Sequence, residues 1–291
     1  MSSFTFVNCI LNVPLMLACV TGNSLTLSAI LRTPSLRSPS NIFMCSLAIS
    51  DLLVGIIVQP VYIAYELKQE PPLTFAINVL FSFTGVVSLC TMTAISVDRF
   101  MALQFHLRYQ CLMTEKRAMY TSLSLWLFGI LSSFVTLWNK TIMFAFLAVG
   151  IAICIFISTF SYTRIYLIVR QHQFQIRAQQ QVLRVPMNVV RTKRSAISTF
   201  IYYICMILCY TPMFSFMSIV AIRPGLSGLM VWKVGNTFVF MNSSINPILF
   251  CWRVRELRRA VLKLVRPRHV MQTSTGFVAK RETMKISDNN S

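Results

Sequence analysis

The chain has 291 residues, of which 55% are hydrophobic and only 12% charged, with a mean hydropathy of +0.64. Soluble domains carry about a quarter charged residues, so the composition excludes an ordinary soluble domain and fits one membrane-embedded bundle. Twenty-seven Lys and Arg against eight Asp and Glu give a net charge of +19. In a soluble chain that would suggest nucleic acid or an acidic partner; here the placement of the bases decides.

Charges cut the sequence into seven apolar runs. Residues 1–31 carry none, 38–65 only Asp51, and 71–97, 118–139, 141–163, 195–222 and 234–252 none. A spanning helix needs roughly 17–25 apolar residues, so each run predicts one crossing. The expected fold is an all-α membrane protein, a seven-transmembrane helix bundle. The first run has no basic region before it and is too long for the core of a signal peptide, so it reads as a retained helix.

Bases follow the first run (Arg32, Arg37), the third (Arg108, Lys116, Arg117) and the fifth (Arg170 to Arg194), and fill the tail (Arg253 to Lys285). The other side keeps Lys68, Lys140, Arg223 and Lys233. Bases gather on the cytoplasmic side of membrane proteins. The pattern predicts an extracellular N-terminus and a cytoplasmic C-terminus, and it accounts for the net charge without a nucleic-acid partner.

Between the fourth and fifth runs Trp138-Asn139-Lys140 must make the whole turn, and Asn139-Lys140-Thr141 is a glycosylation triplet. The segment 171–191 is rich in Gln and Arg and is expected to extend the fifth and sixth helices into the cytoplasm. After the seventh run, Trp252, Val254, Leu257, Val261 and Leu264 recur at helical spacing among Arg253, Arg255, Arg258, Arg259 and Lys263. That predicts a short amphipathic eighth helix on an anionic inner leaflet. Residues 1–266 thus form the membrane domain and 267–291 a polar cytoplasmic tail, expected to be disordered.

Nine cysteines show no metal-ligand spacing and read as packing residues, with no internal disulfide expected. His106, His172 and His269 all fall on the cytoplasmic side, and no acid pairs with a nucleophile, so an enzyme is not expected. Asp51 stands alone between Arg37 and Glu66. A carboxylate in a bilayer costs at least ~2.5 kcal/mol, which marks it as functional.

Several motifs occur in a fixed order: Gly22-Asn23, Ser46-Leu47-Ala48-Ile49-Ser50-Asp51, Ser96-Val97-Asp98-Arg99-Phe100, Trp126, Cys209-Tyr210-Thr211-Pro212 and Asn242-Ser243-Ser244-Ile245-Asn246-Pro247-Ile248-Leu249-Phe250. Together they resemble the rhodopsin-like (class A) G-protein-coupled receptors over nearly the whole chain. Leu107-Arg108-Tyr109, the stub outer loop and the missing proline near Cys154 are nearest to the melanocortin/adenosine/cannabinoid/lysophospholipid group.

The resemblance implies a plasma-membrane receptor whose partners are a heterotrimeric G protein, arrestin and an extracellular small-molecule, lipid or peptide ligand. It implies a pocket for a sodium ion and water at Asp51, Ser88, Asn242, Ser243 and Asn246, with no other cofactor. It assigns G-protein coupling to Asp98, Arg99 and Leu107, and switch or pivot roles to Tyr162, Tyr210, Pro212, Pro247 and Phe250. The prolines suit a pivot because each removes a helix hydrogen bond and kinks the helix.

The chain departs from the family at Phe100, Tyr210, Phe250 and Thr192, which stand where a tyrosine, a tryptophan, a tyrosine and an acid are usual. Thr192 removes one restraint on the resting state, whereas Phe250 loses a hydroxyl contact to Tyr162 that the active state often uses; together the departures permit high basal activity and lead us to expect ligand-free signalling. The ligand-facing positions are Tyr62, Tyr65, Phe81, Ser82, Phe146, Met213, Phe214, Met217, Trp232, Asn236 and Phe240, a set that suits an apolar or lipid-like ligand. Phe81 lies where amine receptors keep an aspartate, and Phe240 where opsins keep the retinal lysine. Two other readings remain open at this stage: a seven-helix transporter or channel using Asp51, and a non-signalling receptor-like scaffold.

Overall fold

The structure, a computed structural model, describes residues 3–36, 38–105, 108–137, 139–183, 189–223 and 229–265, with backbone alone at 136, 137, 140, 172–183, 189–200 and 229. The tail 267–291, His106, Leu107 and Trp138 lie outside the described residues.

Seven long helices form the bundle: α1 (Ser3–Arg32), α2 (Pro39–Lys68), α3 (Pro71–Phe105), α4 (Glu115–Ser133), α5 (Lys140–Leu183), α6 (Val189–Ile222) and α7 (Leu229–Arg253). A shorter α8 (Arg255–Val265) follows. Five are long and apolar enough to cross a membrane by composition: α1, α2, α3 and the stretches Thr141–Gln171 and Ile201–Ile222 of α5 and α6. The other two are more polar, α4 because it opens on Glu115-Lys116-Arg117, α7 because it carries Lys233, Asn236 and Asn242 to Asn246. Both pack as full members of the bundle. The central α3 touches α2, α4 and α5, while α1 lies between α2 and α7, and α6 between α5 and α7.

Local chemistry explains the helix ends. Pro39 sits in the first turn of α2, where its missing N–H costs nothing. Gln69 ends α2 in the left-handed region at φ 54°. The Thr114 hydroxyl accepts from Arg117 N at the start of α4, at 3.4 Å. Asn139 Oδ1 accepts from Thr141 N at 2.8 Å, so the asparagine of the glycosylation triplet caps α5.

One feature of α2 was not foreseen. Residues Val54–Val58 form a π-helical turn. Pro60 follows directly, and its ring would press on the carbonyl four residues back in a regular helix. An extra residue in the turn relieves that clash, so Pro60 was the signal.

α5 runs 44 residues, about 66 Å at 1.5 Å per residue. It outreaches a hydrocarbon core of about 30 Å, in line with the expectation that α5 and α6 project beyond the membrane. In α8 the buried edge is Leu257 and Ala260, which packs on α1 and the end of α7. The bundle therefore takes part of the apolar stripe that was expected to face the leaflet. At the other face of α1, a Cβ on Gly22 would come within 2.8 Å of the Pro247 ring. Glycine is what lets α7 approach there.

Candidate functional site

Asp51 is fully buried. Asn246 Nδ2 donates to its Oδ2 at 2.8 Å, joining α2 to α7. Asn23 Nδ2 donates to Ser243 O at 3.1 Å, which brings in α1. Asp51 Oδ1 and Asn246 Oδ1 are buried with no hydrogen-bond partner. Ser88 and Asn242, expected in the same shell, are placed on other groups. Ser88 Oγ shares a hydrogen bond with Ser50 Oγ at 3.0 Å, and Asn242 Nδ2 points at Met92 Sδ at 3.4 Å. A carboxyl oxygen and an amide carbonyl oxygen, both unpartnered and on side chains that are joined by a hydrogen bond, are the kind of donors a small hard cation takes.

The basic ends of the helices carry the second cluster. Asp98 is buried in the last turns of α3, yet its main partner is not Arg99. The Arg99 Nε–Asp98 contact is 4.0 Å long, and Arg99 Nε has no hydrogen bond. Asp98 instead accepts from Ser40 Oγ of α2 at 2.5 Å and from Tyr109 OH of the following single turn at 2.6 Å. Burial and the bond to Asp98 push the Tyr109 phenol up to about 12, so it remains a donor throughout the working pH range. Three segments thus converge on one carboxylate. Ser40 and Tyr109 were not singled out from the sequence as site residues. Leu107, assigned to the same end, lies outside the described residues, and so does the side chain of Thr192.

Tyr162 of α5 accepts from Ser96 Oγ of α3 at 3.0 Å, and its ring lies 4.9 Å from Tyr203 of α6. Phe250 stacks on Tyr202 with ring centroids 5.9 Å apart. The two switch positions thus pack on different tyrosines of α6. The Tyr202 hydroxyl is buried without a partner. Pro212 and Pro247 lie inside α6 and α7, and Tyr210 is buried one turn below Met213.

At the opposite end the ligand-facing set divides in two. Phe81, Ser82, Phe146, Met213 and Met217 line a cavity of about 180 Å³, with Tyr210 and Val239 beneath. Tyr62, Trp232 and Phe240 are instead packed as rings: Tyr62–Phe240 at 5.2 Å, Phe81–Trp232 at 5.7 Å and Phe81–Phe240 at 6.4 Å. Asn236 is buried and donates to Trp232 O at 2.9 Å, while Tyr65 and Phe214 are half-buried against the core. The rings fill the α2–α7 side, and the space lies towards α3, α5 and α6.

A further polar cluster was missed. Glu66 of α2 and Lys233 of α7 form a buried ion pair at 2.7 Å. Lys233 Nζ also donates to Thr5 Oγ1 of α1 at 2.7 Å. Asn8 receives the Tyr62 hydroxyl at 3.0 Å and donates to Thr237 Oγ1 at 2.8 Å. By sequence Lys233 counts among the bases of the outer side. The available signal was the spacing of Thr5, Asn8 and Asn12, which lines one face of α1 with polar groups.

Compared with known protein families, the chain matches the model of the 7 transmembrane receptor (rhodopsin family) over residues 22–141. That segment runs from the middle of α1 through α4 to the start of α5. It holds Asn23, Asp51, Ser88, Asp98, Arg99 and Trp126, whose indole Nε1 donates to Ser46 Oγ at 2.9 Å. The match covers less than half of the chain; together with the apolar helices it supports a membrane location.

Proposed function

We propose that the chain is a rhodopsin-like G-protein-coupled receptor, which passes the binding of an apolar or lipid-like ligand to a heterotrimeric G protein. The observation that carries this reading is the basic-end lock, with Asp98 held by Ser40 and Tyr109 beside an Arg99 it barely touches. In the proposed cycle Arg99 lies at the mouth that a G-protein helix enters, a helix-in-groove contact, with Leu107 as a second contact. Ligand shifts the population between two helix packings. α6 pivots at Pro212 and α7 at Pro247, and arrestin would use the same opened face.

The positive-inside pattern supports an extracellular N-terminus, a cytoplasmic C-terminus and a plasma-membrane location. A sodium ion would be held by the oxygens of Asp51, Asn246 and Ser243, as the two orphaned oxygens there suit it. It would offset the buried charge and favour the resting packing. The nearer likeness to the melanocortin/adenosine/cannabinoid/lysophospholipid group rests on sequence, in part on the motif Leu107-Arg108-Tyr109. With Thr192 standing where many family members carry an acid to pair with Arg99, signalling without ligand is expected to be measurable.

The test is formation of a nucleotide-free complex between the purified receptor and G proteins of each class. The proposal expects a complex with at least one class, lost in Arg99→Ala. A complex that forms equally well with Arg99→Ala would count against it.

A further inference from the structure

We infer that the cavity above Tyr210 is loaded from within the bilayer: the acyl chain of a membrane lipid enters between α4 and α5 and ends against Tyr210 and Met213. This deepens the receptor reading and rests on it for its signalling consequence, but not for its geometry.

Four observations place the entrance. First, α4 and α5 both pack closely on α3, but among the described residues they pack on each other mainly through the turn Phe134–Leu137 that joins them. Below that turn the two helices part. Second, the cavity wall on this side is built from Phe128 of α4 and Val149 and Ile153 of α5, side chains that are 47%, 58% and 53% exposed on the face of the bundle. Residues that face outward and also line a cavity mark its opening. In a spanning bundle that face meets lipid.

Third, the gap is kept open by small residues. Gly150 of α5 and Gly85 of α3 both line the cavity, and a Cβ on either would meet nothing within 4 Å. Neighbouring side chains have not closed over them. Both glycines are half-buried, so the space beside them opens towards the face of the bundle. Fourth, a second crevice of about 450 Å³ continues downwards. It shares Phe128, Gly150 and Ile153 with the first and reaches Asp98. From Phe81 to Asp98 the groove follows α3 for about 26 Å at 1.5 Å per residue, close to the ~30 Å hydrocarbon thickness.

The occupant follows from this shape and chemistry. A narrow groove about 26 Å long at 1.5 Å per residue, with an almost wholly apolar lining, has room along it for one extended hydrocarbon chain. It offers no built partner for a polar head, which stays at the membrane surface. The α2–α7 side is filled by Phe81, Trp232, Phe240 and Tyr62, so the chain's end is directed to Tyr210 and Met213, on either side of the Pro212 pivot in sequence. Occupancy there would bear directly on the packing of α6.

The test uses the full chain in nanodiscs of phosphatidylcholine that contains a fraction of lipid with a terminal acyl-chain diazirine. After irradiation, adducts are mapped by mass spectrometry. Adducts are expected on the buried Tyr210 and Met213 as well as on the outward Val149 and Ile153. Gly150→Leu should lower the inner adducts at least fivefold and leave those on Phe6 and Leu11 of α1 unchanged. Gly150→Ala, whose methyl meets open space, should keep the fold and lower the inner adducts in part. Adducts confined to outward residues, or inner adducts indifferent to both substitutions, would overturn the inference. So would a water-soluble diazirine that labels Tyr210 and Met213 as strongly as the lipid does. The readout contains no G protein, so a failed signalling assay leaves this result intact, and the converse also holds.

Discussion

Replacing Tyr109 by Phe removes one hydroxyl and keeps the ring. In the structure that hydroxyl donates to Asp98 Oδ1 at 2.6 Å, leaving Ser40 as the carboxylate's remaining short partner. A hydrogen bond to a charged group contributes about 1.5–3 kcal/mol. If the bond is made only in the resting packing, its loss shifts the balance towards the active packing roughly ten- to hundredfold, at 1.36 kcal/mol per decade. Ligand-free nucleotide exchange on the G protein should rise accordingly, up to the ceiling set by full activation. Ser40→Ala should act in the same direction. Combining Tyr109→Phe with Asp98→Asn should add little to Asp98→Asn alone, because both act through one contact. Unchanged or reduced basal exchange in Tyr109→Phe at equal folded amounts would refute the lock, as would full additivity with Asp98→Asn.

Other outcomes follow from the same coordinates. Glu66→Gln strands the Lys233 ammonium in a buried site, a change that typically costs about 3–5 kcal/mol; thermal unfolding in detergent should fall sharply, and Glu66→Gln with Lys233→Met should recover most of the loss. A double variant no more stable than Glu66→Gln would show that the pair is not the source. Asp51→Asn should abolish any effect of sodium on agonist affinity, whereas sodium dependence that survives in Asp51→Asn would place the ion elsewhere. Gly22→Ala should destabilise by about 1–3 kcal/mol through overpacking on Pro247, which unfolding midpoints can read.

The seven helices were legible because charge is so costly in a bilayer that it marks the ends of every span. Asp51 and Asn246 were legible because a lone buried acid needs neutral partners, and α7 presents them on one face. Glu66 and Lys233 were not, since each stands at the end of an apolar run, where a charge ordinarily reaches towards water. Only the polar face of α1 at Thr5, Asn8 and Asn12 turns that position into an interior. Ser40 and Tyr109 carried no pattern that distinguished them from surface residues; the fold alone brings both to Asp98. The aromatic stripe fixed which side chains face inward but not which of them pack on each other. That depends on Gly85 and Gly150, whose missing side chains put the space beside α3 rather than between α2 and α7.

Agonist-free nucleotide exchange, measured on a panel of G-protein classes with the purified protein in lipid, tests the central claim most directly. The account predicts acceleration for at least one class, with Arg99→Ala returning the rate to that of the G protein alone while unfolding as the parent does. No acceleration for any class, or acceleration that Arg99→Ala leaves untouched, would contradict it.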